Sequence, residues 1–271
     1  DKLDRATWLT YVRCHDDIGL GFDDADIHAV GYEPGAHRKF LVDYFTGAYD
    51  DSPARGQPFG RNQKTGDARI SGSLASLVGL ETALQLGDEA QVQSCIDQIL
   101  LMHSLIMAFG GIPLLYYGDE LGTLNNESYV KDAEKAKDSR WIHRPSYDWQ
   151  RAELRHKRGS VEHRIFEGLK QMIAVRKSVE AMADFNNREL IDVGNPHLFV
   201  FTRTHPSILL DSVVVVANFN DKPEQFNLRD LRNRGRFELG ELRDLVSGES
   251  PDLVEGQLVV PAHGFYWLVS A

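Results

Sequence analysis

Three ionisable residues, His15, Asp16 and Asp17, interrupt an apolar run in WLTYVRCHDDIG, residues 8–19. A strand that ends on such a cluster is either a capped loop or the rim of an active site. Taken singly, Asp16 reads as a turn or cap residue, and His15 as a half-buried strand-end histidine. Taken together, they offer a neutral imidazole that can donate to a substrate hydroxyl. Beside it stands a carboxylate that can accept one or oppose a developing positive charge. Taken singly, Arg38 and Arg69 suit a solvated loop, Phe40 suits a core, and Arg140 beside Trp141 suits a surface cation–π pair. Asp119 and Glu120 read as turn and cap groups.

The elements that must position these residues follow from periodicity. Residues 6–14 predict a strand. From Asp17 to about Ser71 the chain is rich in Gly, Pro, Asp and aromatics without a clean period, as functional loops inside compact proteins are. SLASLVGLETALQL predicts a helix. AQVQSCIDQILLMHSLIMAF predicts another, with Val92, Ile96, Ile99, Leu100 and His103 at helical spacing. Gly110-Gly111 stops it, and IPLLYYGDE (112–120) reads as a short, fully buried strand with acids at its end. A second irregular stretch, 121–160, carries SRWIHRP, and 161–178 predicts an amphipathic helix. After Asn186 the period becomes two: HLFVFTR, SVVVVANF, QFNL, FELGEL, QLVV and FYWLV. That is a small antiparallel β domain of about 85 residues, near the lower range for an independent core. The order strand–loop–helix–strand–loop–helix belongs to a parallel α/β sheet or TIM barrel, whose sites lie after the C-terminal ends of its strands.

Composition narrows the function classes. The 271 residues carry a net charge of −10, which argues against nucleic acid and anionic membrane as partners. No apolar run reaches the ~18 residues of a membrane span. Cys14 and Cys95 form neither a disulfide framework nor a metal-ligand spacing. Two free thiols point to a reducing, cytoplasmic compartment, although the start DKLDRATW, without a methionine, says nothing of export. Asp23, Asp24 and Asp26 lack the alternation and glycine of a calcium loop and read as a solvated acidic turn. No metal, nucleotide or redox cofactor is expected.

An apolar strand ending in His-Asp, followed by a Gly-Gly strand ending in Tyr-x-Gly-Asp-Glu, resembles the last two barrel strands of the α-amylase superfamily, glycoside hydrolase family 13. RCHDDIG, GAHRKF, ARGQPF, TGDARISG, YYGDELGTLN and KDSRWIHRP resemble its amylosucrase and sucrose hydrolase group. The resemblance implies an α/β part followed by an all-β part. Residues 1–17 would be barrel strand 7, and 18–71 a loop insertion forming the substrate pocket. Residues 72–185 would be helix 7, strand 8 and helix 8, and 186–271 a C-terminal antiparallel β-sandwich. Asp16 would stabilise the transition state, with His15 its hydroxyl-binding neighbour. Asp17, Arg38, Phe40 and Arg69 would shape the fructosyl and acceptor side, and Arg140 would close the pocket floor by pairing with an acid. The implied partners are sucrose and an α-glucan acceptor.

The resemblance also carries departures. The nucleophilic aspartate and the acid/base glutamate that retaining chemistry needs belong to earlier strands, and neither motif occurs in this chain. Alone, it is expected to be inactive and to need the N-terminal part of the same enzyme. Two parallel strands cannot close a barrel, so apolar flanks are expected to stay exposed. Leu20 stands where an aromatic is usual in amylosucrases. That leaves open a sucrose hydrolase, with water as acceptor, and a non-catalytic carbohydrate-binding or assembly remnant.

Overall fold

A computed structural model describes residues 6–183, 187–204, 212–232 and 241–270. In chain order the regular elements begin with β1 (Leu9–Thr10), α1 (Asp24–Ala29), α2 (Pro34–Phe45), β2 (Gln57–Phe59) and β3 (Arg69–Ser71). Next come α3 (Leu74–Leu77), α4 (Leu80–Leu86), α5 (Glu89–Ala108), β4 (Ile112–Pro113), α6 (Trp149–Ala152) and α7 (Val161–Ser178). The remainder is β5 (Arg188–Ile191), β6 (Leu198–Arg203), β7 (Val213–Asn218), β8 (Glu224–Asn227), α8 (Arg229–Arg232), β9 (Leu242–Asp244), β10 (Leu253–Val254), β11 (Gln257–Val260) and β12 (Phe265–Ser270). Most of the expected strand FELGEL, and residues 184–186 where the β domain was expected to begin, lie outside the described residues. Residue contacts divide the chain into two units, Asp1–Val12 with Asp97–Leu114 and Phe166–Ala271, and Arg13–Ile96 with Leu115–Ile165.

In the first unit β1 and β4 pair in parallel, Leu9 opposite Ile112. Both strands are shorter than their apolar runs predict, and 112–120 is not the fully buried strand expected. Trp8, Leu9, Tyr11 and Ile112 are each about half exposed or more. Among the described residues each strand has a single hydrogen-bonded neighbour, and the flanks of this two-residue ladder are exposed. Gly111, at φ 90°, is required at the entry to β4, because a Cβ there would lie 2.6 Å from the Trp8 carbonyl oxygen.

The remaining strands of that unit form two antiparallel sheets, one in the order β5-β6-β7-β12-β9 and the other β10-β11-β8. One core joins them: Ile191, Val200, Val214, Val216, Leu242 and Leu268 from the larger sheet meet Phe226, Leu258 and Val260 from the smaller. That is a sandwich, held by apolar burial worth roughly 1.5–3 kcal/mol for each fully buried Val or Leu before entropy is charged. The run Val213–Ala217 is buried on both faces, as a central strand requires. Buried Arg203 donates from Nε to Asn187 Oδ1 at 2.8 Å and from Nη1 to the Ala108 carbonyl. Its charge is thus matched by oriented acceptors.

In the second unit the stretch expected to be irregular contains two helices and a hairpin. Pro34 opens α2, and the Glu33 carboxylate caps it by accepting from the Gly35 and Ala36 amides, an arrangement suited to a helix start. Only Pro34 and Val42 of α2 are buried. With so little of the helix facing a core, its sequence shows no apolar period. β2 and β3 pair antiparallel, Phe59 opposite Arg69, and Ile18 bridges Ile70 through reciprocal hydrogen bonds of 2.7 and 2.9 Å. Leu20, Val42, Ala68, Ile70 and Leu77 form the local core. The single helix expected over 73–86 is two, because Gly79 at φ 93° separates α3 from α4. Pro53 leaves no room there, since a Cβ would approach Pro53 Cβ to 2.6 Å.

Candidate functional site

The polar residues 13–17 lie in the second unit and are held by its own loops. Asp16 is the centre. Its Oδ1 accepts from Arg140 Nη1 at 3.2 Å and from Arg144 Nη2 at 3.5 Å, while its Oδ2 stands 3.3 Å from His15 Nε2. Asp17 is the buried partner of the pair: its Oδ2 meets Arg69 Nη1 at 3.2 Å, and its Oδ1 lies 4.0 Å from Arg140 Nη1. The hairpin adds an aromatic floor. The Phe59 ring carries the Arg140 guanidinium at 4.6 Å and the Arg69 guanidinium at 5.4 Å.

A short 3-10 turn, Ser139–His143, aims Arg140. Asp138 caps it by accepting from the Arg140 amide. The same carboxylate takes a two-pronged hold on the side chain, Nε at 2.9 Å and Nη2 at 2.8 Å, the geometry a guanidinium fork favours. These hydrogen bonds hold the Asp138 carboxyl below its ordinary range, chiefly through the Arg140 side chain, and raise Arg140 in turn. One residue thus joins two carboxylates and a ring.

Behind this array lies a buried layer. Arg13 donates from Nε to the Gly72 carbonyl at 3.0 Å, and burial lowers its pKa despite the charge of Asp119 and Asp17 nearby. Asp119, at the start of a 3-10 turn, is pushed up to about 7 by burial. Arg13 opposes that shift and Glu120 adds to it. Glu120 accepts from the Gly118 amide at 2.7 Å and from the Tyr147 hydroxyl at 2.7 Å. His143, fully buried, is held down to about 4 by burial and by the charge of Arg13.

His15, Asp16, Asp17, Arg69 and Arg140 are therefore brought together. Arg38 is not in that array. It donates to the Leu20 and Phe22 carbonyls and pairs with Asp24 at 2.6 Å, and with Leu20, Asp67 and Arg69 it lines a cavity of about 530 Å³. Leu20 is part of the local core beneath that cavity. Phe40 lies apart, against Tyr44 and Tyr49, and lines a different hollow with Tyr32 and His37. Asp138, Arg144, Phe59, Arg13 and His143 escaped sequence reasoning. The signal for three of them was present in DSRWIHRP, where an Asp directly before Ser139 is a cap for a turn carrying both arginines and the histidine.

A metal has limited claim on this site. Cys14, His15 and Asp16 place one ligand-type atom each within 4.8 Å of one another, yet two guanidinium groups already meet the Asp16 carboxylate. Asp23 caps α1 through the Ala25 amide and Asp24 serves Arg38, which occupies two of the three crowded acids. Among the described residues no helix is long and apolar enough to cross a membrane.

Residues 188–267 match the family model described as the maltogenic amylase C-terminal domain. Over those residues the β domain is similar to an amylase C-terminal domain. The chain is 26% identical over 192 residues to a protein named trehalose synthase/amylase TreS from two strains of Mycobacterium tuberculosis. That similarity covers 63% of this chain and 31% of the relative, so the chain spans about a third of the length of the curated relatives it matches. Among solved structures, an AmyP variant in complex with maltotriose shares the fold at a TM-score of 0.50 and 16% identity, covering 67% of this chain and 35% of the other. AmyP in complex with maltose gives 0.49 at 16% identity over the same shares of the two chains.

Proposed function

We propose that this chain is the C-terminal part of a retaining α-glucosyl-transferring enzyme that cleaves sucrose, passes the glucosyl unit to an α-glucan and releases fructose. The observation that carries the reading is the Asp16 carboxylate, half exposed, with one oxygen fixed by Arg140 and Arg144 and the other facing His15. A carboxylate fixed on one side and open on the other can meet the positive charge of an oxocarbenium-like transition state. His15 offers a hydroxyl donor beside Asp16 that orients the glucosyl ring, and Asp17, paired with Arg69, shapes the fructosyl and acceptor side. Arg69 and Arg140 stand on Phe59, where their forks can serve the leaving fructosyl or the acceptor. The sucrose assignment rests on the ordered motifs around these residues, from RCHDDIG to KDSRWIHRP.

The nucleophile and the acid/base belong to the remainder of the parent protein, and the 271-residue chain by itself releases no fructose. A second reading comes from the relative named trehalose synthase/amylase: the same carboxylate in an enzyme of trehalose or α-glucan. One experiment separates the two. The full-length protein is given sucrose, trehalose or maltose alone, and free glucose and fructose are quantified together. Fructose in excess of glucose from sucrose supports transfer, and equal amounts mean that water is the acceptor. Turnover of trehalose or maltose without release of fructose from sucrose would overturn the sucrose assignment.

A further inference from the structure

We propose that His143 is a positioning residue for Asp16: a neutral imidazole carrying its proton on Nε2, which fixes the peptide between His15 and Asp16. This rests on the reading of Asp16 as the charge-stabilising carboxylate. The two partners of the ring are backbone groups, and they settle its tautomer. Nδ1 lies 3.1 Å from the Gly72 amide nitrogen, a group that only donates, so Nδ1 accepts. Nε2 lies 3.1 Å from the His15 carbonyl oxygen, which only accepts, so Nε2 carries the proton.

The ring is thus a rigid strut between two segments distant in sequence. Its anchor end does not yield. The Gly72 carbonyl takes Arg13 Nε, and a Cβ on Gly72 would stand 2.9 Å from Leu77 Cδ2, so that peptide is packed as well as bonded. The His143 carbonyl accepts from the Tyr116 hydroxyl at 3.1 Å. At the working end, the His15 carbonyl accepts a second donor, Arg144 Nε at 2.7 Å, and Arg144 continues to Asp16 Oδ1. The carbonyl and amide of one peptide move together. A fixed His15 carbonyl therefore sets the direction in which Asp16 leaves the backbone.

A protonated ring would turn a second N–H against the Gly72 amide. Burial, Arg13 and Arg144 oppose that proton, the His15 carbonyl and Asp138 favour it, and the balance lies against it. The strut is intact at neutral pH.

The test uses the full-length enzyme that contains this chain, with His143→Gln, His143→Asn and Asp16→Asn. The Gln amide nitrogen reaches the place of Nε2 and can donate to the His15 carbonyl. The Asn oxygen takes the place of Nδ1, serves only Gly72, and leaves the His15 carbonyl short of one donor. His143→Gln is expected to keep kcat within about threefold, and His143→Asn to lower it about 10–100-fold at unchanged KM, as an ångström-scale displacement of a reacting group does. Both variants should melt together, and 15N NMR of the wild type should show the Nε2–H tautomer. Equal losses in both variants that track melting temperature, no loss in His143→Asn, or an Nδ1–H tautomer would each overturn the proposal. Full activity in Asp16→Asn would overturn it through its premise, and the tautomer readout separates that outcome from failure of the strut itself.

Discussion

Asp119 makes stability depend on pH in a direction opposite to most carboxylates. Its carboxyl is pushed from the ordinary 3.8 up to about 7, because burial penalises the charged form more than Arg13 favours it. A raised carboxyl pKa means that the folded chain holds a proton the unfolded chain has released. Stability from this group is therefore present below pH 3.8 and is lost as pH rises to about 7. At about 1.4 kcal/mol per factor of ten, the whole span amounts to about 4 kcal/mol, of which about 2.5 kcal/mol falls between pH 5 and pH 8. Asp119→Asn removes the titration. The carboxylate charge facing Arg13 is present in the wild type only at the higher pH, and its effect is already contained in the raised pKa. The assay is urea denaturation of wild type and variant at the two pH values. The difference in unfolding free energy between the proteins should move in favour of the variant by about 2.5 kcal/mol on going from the lower to the higher pH. An identical pH dependence in both proteins would refute the reasoning, because Asp119 would then be ionised in the fold throughout.

Two further outcomes follow from the geometry. Gly79→Ala places a Cβ 2.6 Å from Pro53 Cβ at φ 93°, and should cost about 1–3 kcal/mol, read as a lower melting temperature. A melting temperature equal to wild type would show that the α3–α4 break does not need glycine. Arg140→Lys keeps the charge but cannot hold Asp138 and Asp16 together. On the proposed sucrose-cleaving reading, it should lower kcat/KM for sucrose in the full-length protein about tenfold, the lower end of what a lost charge-assisted hydrogen bond is worth at a partly solvated site. An unchanged kcat/KM would mean that Arg140 serves only the turn it begins.

Much of the β domain is visible in its alternation, since HLFVFTR, SVVVVANF and FYWLV each place a strand near its observed position. The helices with a buried face, α5 and α7, are equally legible. What is lost to inspection is local structure that the core does not write. α2 buries two of its residues, so its register leaves no apolar period, and the Gly79 break is decided by Pro53, which is distant in sequence. The runs around β1 and β4 mislead in the other sense: Trp8, Leu9 and Ile112 are apolar yet exposed, because each strand has only one hydrogen-bonded neighbour among the described residues.

The candidate site divides the same way. Asp16 and Asp17 stand out as charged residues at the end of an apolar run, Arg69 and Arg140 are legible only through the motifs TGDARISG and KDSRWIHRP, and the fold assembles the four. Phe40 has the right chemistry but belongs to the aromatic cluster of α2. Arg38 braces the chain at Leu20–Asp24. Arg13 is silent in the sequence because its partner is the Gly72 carbonyl, and the capped turn announces His143 without its backbone partners, Gly72 and His15.

The most direct test of the central claim is the rate of fructose release from sucrose by full-length enzyme carrying Asp16→Asn, a change that keeps shape and removes charge. If Asp16 meets the positive charge of the transition state, kcat falls by about 10²–10³-fold or more while the variant folds and melts like the wild type. Fructose release at the wild-type rate from a well-folded variant would contradict the account, and His15 and Asp16 would then be no more than a capped strand end.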